Sequence, residues 1–483
     1  MIRHLILPIL LLSALSACSE GIDNSRLRLD VIEDTPRPLS IGLMPLPKSS
    51  GYLRAATAQG LVAFDKEGRI VPALASRWIV TDDGMSYIFR LNKTFWNDGK
   101  AITSDQVAAA LNTRIDELKD SRFGSELSAV DRTVSMTGKV VEIRLKAPTP
   151  NLLELLAQPE FGVVHKGSGS GPMQSQKQGS AMQLRLRGLD ARGKPILMNE
   201  RLALSTDTAP VALAKFNAGQ TDFVTAGRFQ HIPALEAAKV KNGTIQFDPV
   251  PGLFGLLIIK TGPFLSNGAN RQAMAKAIDR PKMLSSFGLL AWQETLTIVP
   301  ENMQNRDPVP RPEWASQNFE SRRIAARQTI ARWKVSGGNV RALRVGLPRG
   351  AGSRILFARL RSDFAAIGLR AQRVTYDQDP DIILIDRIAD ISSPSWYLSQ
   401  LSCGASAVCD SQADALVAAA RISVNKSDRQ RLLGEAETSL QAHGIYIPLA
   451  NPISWSVTRD GLLGYEPNPR GWHLLQYMGS GPT

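Results

Sequence analysis

Residues that build metal sites and covalent catalysts are scarce in this chain. Its 483 residues include only three cysteines and five histidines, and no two histidines lie close enough in sequence to form a local metal motif. The signatures H-E-x-x-H, G-x-S-x-G and the P-loop are all absent. The sequence therefore gives no support to a metal centre, a bound cofactor or an enzyme active site.

Dense runs of one charge are missing as well. The formal net charge is +13, and a basic balance can serve nucleic acid, an anionic membrane or an anionic ligand. The densest basic cluster is nevertheless spaced like the solvated face of a helix: Arg322, Arg323, Arg327 and Arg332. A generally basic surface, without a nucleic-acid partner, is the interpretation that the pattern favours.

Apolar residues near the N-terminus form only a short run. Residues 5–12 are apolar but interrupted by Pro8, which is too short to span a bilayer as a mature helix and predicts a secretory signal. Leu-Ser-Ala-Cys at 15–18 matches the bacterial lipobox, which implies cleavage before Cys18 and lipid attachment to its sulfur, for stable membrane anchoring. An ordinary signal peptide that ends near a cysteine is the alternative. The polar segment 18–37 is predicted to be a tether.

A segment of strands and turns in the first quarter of the chain sets its expected organisation. Asp-Asp-Gly at 82–84 and Asn-Asp-Gly at 97–99 supply turn residues on either side of the alternating run 86–91. Thr103 and Gln106 have the spacing of a capping box, which predicts a helix that begins there. With 43% hydrophobic residues, the chain can bury a sizeable core in about three domain-sized units.

This segment resembles the signature region of the family 5 extracellular solute-binding proteins, which serve peptide-type ABC importers. The matching phrases, in the family's order, are Gly60-Leu61-Val62, Pro72-Ala73-Leu74-Ala75 with Trp78, Trp96-Asn97-Asp98-Gly99-Lys100, Arg271-Gln272-Ala273 and Ile278-Asp279-Arg280. The resemblance is poorest at 173–210, where the sequence is shortened. The glycine- and serine-rich stretch 167–180 is predicted to be a loop, and Asp279 with Arg280 a structural charge pair.

The resemblance implies a type II periplasmic-binding-protein fold of the α/β class, with two α/β lobes around a cleft and a small β-rich subdomain. The first strand of the main sheet is expected at 39–43, and the chain would cross between lobes near 259–262 and 445–449, the expected hinge. The expected units are a signal peptide at 1–17, a lipid-anchored tether at 18–37, the first lobe at 38–54, 151–258 and 446–483, the subdomain at 55–150 and the second lobe at 259–445.

Candidate ligand residues follow a predicted buried strand at 382–385. The family pattern there is "trp-x-ala-asp-tyr-x-x-pro", and in its peptide-binding members the aspartate pairs with the ligand's α-amine. Asp390 takes that position, which makes it the first candidate, whereas a strand-end cap is the alternative without a ligand. Arg387 replaces the pattern's tryptophan and could neutralise Asp390 or bind an anion. Trp396 is the third candidate ligand residue.

Cys403 and Cys409 are separated by a short loop. In an exported protein a disulfide between them is expected, and it would stabilise the fold by roughly 2–3 kcal/mol. Two separate free thiols are the alternative.

The function that the resemblance implies is capture of a peptide-like solute by lobe closure in the periplasm. A monomeric, lipid-anchored protein would then deliver the solute to a membrane permease driven by separate ATPase subunits. One rival is the same fold with a non-peptide, possibly anionic, solute, which Arg387 and the basic charge favour. Another is a degenerate member that acts as a lipoprotein scaffold, chaperone or sensor, which the shortened region favours.

Overall fold

The computed structural model describes residues 26–37, 39–40, 46–96, 99–189, 195–241, 243–303, 309–404 and 408–480. These residues build two α/β lobes, each around its own sheet, and a small β-rich subdomain. This is the architecture that the family resemblance implies. Among the described residues, no helix combines the length and the apolar character needed to cross a bilayer.

A mixed seven-stranded sheet forms the first lobe. In spatial order its strands are Met173–Gln178, Ala181–Leu189, Pro195–Asp207, Arg26–Ile32, Phe223–Gly227, Ser454–Arg459 and Gly243–Asp248. Its helices are Lys48–Thr57, Ala209–Asn217 and Ile232–Ala238, with 3-10 turns at Phe229–His231 and Leu475–Tyr477. Two small hairpins accompany it, Val164–His165 with Ser168–Gly169 and Leu462–Leu463 with Gly479–Ser480.

The strand Arg26–Ile32 lies in the centre of this sheet, parallel to both neighbours. Its alternate apolar residues are buried in the core: Leu27, Leu29 and Val31. The prediction of a tether over 18–37 is therefore wrong for these seven residues. The prediction of a first strand at 39–43 is wrong for Leu39 and Ser40, which lie outside any strand, and its other residues fall outside the described ones.

The region where the family resemblance is poorest forms an antiparallel three-stranded meander at one edge of the first-lobe sheet. The predicted loop at 167–180 is wrong for Ser168–Gly169, which pair in the small hairpin, and for Met173–Gln178, which is the edge strand. Its outward residues are polar, among them Gln174, Gln176 and Gln178. Because the exposed face carries glutamines, the composition resembles that of a loop although the backbone pairs as a strand.

A five-stranded sheet forms the second lobe. In spatial order its strands are Ala371–Val374, Leu343–Gly346, Ile382–Ile388, Gly252–Ile258 and Tyr446–Ala450. Its helices are Gly268–Ala277, Arg280–Ser285, Phe319–Val335, Ala351–Ala366, Pro394–Ser399, Ser411–Ile422 and Lys426–His443, with a 3-10 turn at Glu313–Ser316. The strands Leu343–Gly346 and Ala371–Val374 are parallel, and the helix Ala351–Ala366 forms the crossover between them.

Asp279 and Arg280 have separate structural roles. Asp279 caps the helix Arg280–Ser285 by accepting a hydrogen bond from the backbone N–H of Lys282 at 3.2 Å. The buried guanidinium of Arg280 instead donates to the backbone oxygens of Pro448 and Ala275, at 2.8 and 3.2 Å. The predicted charge pair is therefore wrong. Asp279 satisfies a backbone N–H at the start of a helix, and Arg280 satisfies backbone oxygens of a strand and of the last turn of the preceding helix.

The two crossings between lobes lie at 249–251 and 451–453, since the strands on either side belong to different sheets. The hinge predicted near 259–262 and 445–449, and the lobe boundaries drawn from it, are therefore wrong by several residues. The fully buried strand Gly252–Ile258 belongs to the second lobe. A continuous apolar run shows that a strand is buried but does not tell which of two sheets contains it.

The subdomain is a four-stranded antiparallel sheet with one long helix across it. In spatial order the strands are Ala75–Val80, Ser86–Leu91, Val140–Leu145 and Val130–Thr137, and a small hairpin pairs Val62–Phe64 with Ile70–Pro72. The helices are Ser104–Leu118, Gly124–Leu127 and Leu152–Leu156, followed by a 3-10 turn at Pro159–Phe161. The predicted capping box of Thr103 and Gln106 is confirmed.

Candidate functional site

A cavity of about 420 Å³ lies between the two lobes, beside the end of the strand Ile382–Ile388. Ligands of open α/β folds bind in crevices at strand ends, and cavities of about 300–1,000 Å³ hold small molecules. Both lobes and the subdomain contribute residues to the wall. Its charged and titratable residues are Asp34, Lys48, Arg122, Glu160, Arg228, His231, Asp386, Arg387, Asp390 and Arg470.

Asp390 follows that strand and lines the cavity. Its Oδ2 lies 3.1 Å from Nε of Arg122, and Nη2 of the same guanidinium donates to Glu160 at 2.8 Å. Burial raises the pKa of Glu160, and Arg122 opposes that rise. Arg122 therefore contacts two carboxylates. A ligand ammonium group that binds Asp390 has to share this carboxylate with Arg122.

The turn that carries Asp390 is held from two sides. Gln158 Nε2 donates to the backbone oxygen of Asp390 at 2.8 Å, and Arg470 Nη1 lies 3.4 Å from the same atom. Arg470 also pairs with Glu154 at 2.9 Å, and Glu154 accepts from the backbone N–H of Ser392 at 2.7 Å. These contacts fix the backbone, so the direction of the Asp390 side chain is preorganised.

Arg387 lies in the same wall as Asp390, whereas Trp396 does not reach the cavity. Arg387 donates to the side-chain oxygen of Gln400, burial lowers its pKa, and no carboxylate of the described residues forms an ion pair with it. Trp396 is 1% exposed and packs edge to face on Tyr397. The predicted ligand role of Trp396 is therefore not supported by its position, because the short helix it belongs to turns it into the core.

Lys48 is a cavity residue that the sequence did not single out. It begins the helix Lys48–Thr57, and its ammonium group lies 3.5 Å from the ring centroid of Trp472, a cation–π contact. Burial, and next the nearby Arg228, lower its pKa to about 7. No ion pair to Lys48 exists among the described residues. Its partner ring comes from the far end of the chain, so no local pattern could have revealed it.

An ion pair joins the lobes across the cavity. Arg228 of the first lobe pairs with Asp386 of the second-lobe strand, with Nε 3.2 Å from Oδ2. His231 Nδ1 accepts from the backbone N–H of Arg228, so its Nε2 carries the proton toward Asp34 at 2.7 Å. Burial raises the pKa of Asp386, and Arg228 counteracts this. The two lobes thus meet over a buried ion pair.

The profile described as bacterial extracellular solute-binding proteins, family 5 (middle), matches residues 69–407. This chain belongs to that family. Family 5 members are binding proteins, which agrees with the absence of enzyme signatures in the sequence. The matched range includes Asp390 and Arg387 but not Lys48 or Trp472, so one part of the cavity wall lies outside the region that defines the family.

Known proteins and solved structures resemble the chain over most of its length. A probable di/tripeptide-binding protein 5 of Pseudomonas aeruginosa is 22% identical, over 85% of this chain and 87% of that protein. The oligopeptide-binding protein OppA of Haemophilus influenzae, in complex with the peptide RPPGFSPFR, has a TM-score of 0.79 at 14% identity, over 95% and 99% of the two chains. AgaA from A. tumefaciens, in complex with agropinic acid, has a TM-score of 0.76 at 19% identity, over 95% and 99%.

Cys403 and Cys409 do not line the cavity. Cys403 and Cys409 form a disulfide, whereas Cys18 and the lipobox fall outside the described residues. Within the described part of the chain, no group of three His, Cys, Asp or Glu side chains could hold a metal ion. The candidate site of this family 5 protein is therefore built from ion pairs, amides and one aromatic ring.

Proposed function

We propose that this family 5 protein captures a short, zwitterionic, peptide-like solute between its lobes in the periplasm. The observation that carries the proposal is the mixed charge of the cavity. Asp390 and Glu160 share one cation, while Lys48 and Arg387 have no carboxylate partner among the described residues. A short peptide has an ammonium group that can bind Asp390 and Glu160. It also has a carboxylate that can bind Lys48 and Arg387. Such charge-assisted hydrogen bonds are stronger than hydrogen bonds between neutral groups.

The volume of the cavity supports a small ligand. About 420 Å³ lies near the lower end of the range for small-molecule sites. A di- or tripeptide is therefore favoured over a longer peptide, in line with the name of the related Pseudomonas protein. In such ligands the main chain supplies most hydrogen bonds, so side-chain selectivity is expected to be weak.

Delivery completes the proposed role. The protein acts as a monomer, anchored through lipid on Cys18, and passes its solute to an inner-membrane permease with separate ATPase subunits. The lipobox at 15–18 supports the anchor. Mass spectrometry of the membrane-associated protein, compared with the Cys18→Ser variant, tests it: diacylglycerol on the wild-type sulfur is expected, and an unmodified, soluble wild-type protein would rule the anchor out.

A thermal-shift series on residues 19–483, stripped of carried-over ligand by mild unfolding, tests the ligand class. Ligand at 100 times Kd adds about 2.7 kcal/mol of stability. A dipeptide should raise the melting temperature, whereas its N-acetylated and C-amidated forms should each lose most of the shift. Asp390→Ala should abolish the thermal shift caused by a dipeptide with a free amine. Asp131→Ala, at an exposed position, should leave that shift unchanged. Equal shifts with all three forms would overturn the zwitterion assignment.

A second candidate is an anionic, non-peptide solute. The observation that favours it is the ion pair of Asp390 with Arg122, which already neutralises the carboxylate and leaves Lys48 and Arg387 as the free charges. The structural neighbour AgaA is a member of this fold with agropinic acid bound. Shifts with anionic solutes that need Arg387 but not Asp390, and none with any peptide, would decide for this candidate. No shift with any solute would favour a scaffold, chaperone or sensor.

A further inference from the structure

A second cavity, of about 960 Å³, lies between the subdomain and the second lobe and shares no lining residue with the cleft. The subdomain side is formed by residues 125–129, which include part of the short helix Gly124–Leu127, and by residues 147–151. The second-lobe side is formed by residues 391–395 and by the helix Lys426–His443. A volume of this size, enclosed by two separate bodies, is at the upper end of the range for small-molecule sites.

Most of the wall of this cavity is apolar. The subdomain contributes Ala147 and Pro148, and the second lobe contributes Pro394 and Leu433. Such a surface favours the hydrocarbon part of a ligand, because each buried methylene group adds about 0.8 kcal/mol.

One carboxyl oxygen in the wall, Oε2 of Glu126, is buried without a hydrogen-bond partner among the described residues. Burial raises the pKa of Glu126 to about 7, and the nearby Arg421 opposes this rise. A buried polar atom without a partner is rare in a folded protein and needs an explanation. A protonated Glu126 can donate a hydrogen bond to an oxygen atom inside the cavity.

Cations outnumber the anions that could neutralise them at this cavity. Arg421 donates to Ser125 Oγ, and neither it nor Lys426 forms an ion pair with any described carboxylate. Arg431 is matched by Glu435 at 2.8 Å. An anionic head group is therefore the complement of this wall, next to the donor that Glu126 supplies.

From the apolar wall, the unpartnered Oε2 of Glu126 and Arg421, which forms no ion pair among the described residues, we propose that this cavity binds an amphipathic monocarboxylic acid. Its hydrocarbon body lies against Ala147, Pro148 and Leu433, and its carboxylate lies between Arg421 and Glu126. This second site is separate from the cleft and does not depend on which solute the cleft takes.

Gly434 offers a way to fill the cavity without disturbing the fold. It lies in the helix Lys426–His443, lines the cavity, and a Cβ added there meets no atom within 4 Å. Gly434→Ala improves helix propensity and leaves the space open, whereas Gly434→Phe occupies it. The two variants form a matched pair.

Calorimetric titration of residues 19–483 with dodecanoate, below its micelle-forming concentration, tests the site. Wild type and Gly434→Ala should bind one equivalent, and Gly434→Phe and Arg421→Met should each bind at least about tenfold more weakly. Dodecanol, which lacks the carboxylate, should bind more weakly than dodecanoate to the wild type. If Gly434→Phe does not fold, Arg421→Met still decides. No binding to the wild type, unchanged binding in both variants, or loss of binding in Arg387→Ala instead would overturn the proposal.

Discussion

The guanidinium of Arg122, on the subdomain, lies 3.1 Å from the carboxylate of Asp390, at the end of a second-lobe strand. The same guanidinium serves Glu160, which is 2% exposed. Arg122 therefore holds the candidate ligand carboxylate and joins two parts of the molecule. Any ligand amine that reaches Asp390 does so next to a cation that is already there.

Removal of Arg122 should destabilise the protein most at high pH. Arg122→Met leaves Glu160 buried without its cation, and breaking such a pair costs about 3 kcal/mol. Burial already raises the pKa of Glu160, and loss of Arg122 raises it further. The folded state then holds a proton that the unfolded state releases, so stability falls as pH rises through the folded pKa.

Urea unfolding of Arg122→Met at pH 5 and pH 8 measures this effect. Arg69→Met is the control, since Arg69 is 72% exposed in its pair with Asp65 and surface pairs contribute little. A loss for Arg122→Met that is equal at both pH values would contradict the assignment of the effect to Glu160.

Lys48 should make ligand affinity depend on pH near neutrality. Burial lowers its pKa to about 7, so the ammonium group is charged at pH 6 and largely neutral at pH 8. A carboxylate ligand that contacts Lys48 should therefore bind more tightly at pH 6. The pKa of Lys48 also responds to the nearby charges of Arg122, Arg228, Asp248 and Asp390. Calorimetry with Lys48→Met isolates the contribution of Lys48 to the pH dependence of the affinity.

The lowered pKa of Lys48 also predicts that the stability of the ligand-free protein depends on pH. Between the folded pKa near 7 and the ordinary value of 10.5, the unfolded chain binds the proton that the folded protein lacks, so Lys48 makes stability rise with pH over that window. Lys48→Met should flatten this rise, and Lys177→Met, at an exposed position, should not. Parallel pH profiles of wild type and Lys48→Met would show that Lys48 titrates normally.

Local signals predicted much of this fold. The capping box of Thr103 and Gln106 and the alternating strand at 86–91 follow from spacing within a few residues, and both are confirmed. The strand Arg26–Ile32 was missed although its alternation is regular. Its polar positions include Arg28 and Asp30, which pair inside the sheet with Asp222 and Ser205, so a buried strand resembles a charged tether.

Relations between distant parts of the chain could not be predicted. Asp390 and Arg387 were found because they lie at the end of one strand, but Arg122, which pairs with Asp390, lies far away in sequence. The contact of Lys48 with Trp472 joins the two ends of the described chain. The hinge was misplaced for the same reason, since sheet membership depends on pairing partners that a single strand does not reveal.

Asp248 should control the stability of the hinge. It ends the strand before the first crossing and accepts from Ser454 Oγ at 2.9 Å, where Ser454 begins the strand after the second crossing. The backbone N–H of Asn468 and His473 Nε2 each lie 3.2 Å from the same carboxylate. Asp248→Ala leaves these buried groups without an acceptor, which should cost about 2–4 kcal/mol in urea unfolding. Asp248→Asn keeps one acceptor oxygen and should lose less, and equal losses would argue against the hydrogen-bond explanation.

The N-terminal strand should be indispensable although it lies where a tether was expected. Arg26–Ile32 pairs with strands on both sides, so its removal opens the middle of the first-lobe sheet and uncovers two rows of backbone groups. A chain that begins at Ser25 should unfold at the same temperature as one that begins at residue 19, whereas a chain that begins at Glu33 should not fold.

A point substitution tests the same strand. Leu29→Ala shortens a side chain that is 0% exposed in the core. It should lower stability by about 3 kcal/mol through the cavity it creates. Leu290→Ala, at a fully exposed leucine, should change stability very little. Circular dichroism and urea unfolding of the three chains and the two substituted proteins measure these effects. A folded chain that begins at Glu33 would mean that the first-lobe sheet closes without its central strand.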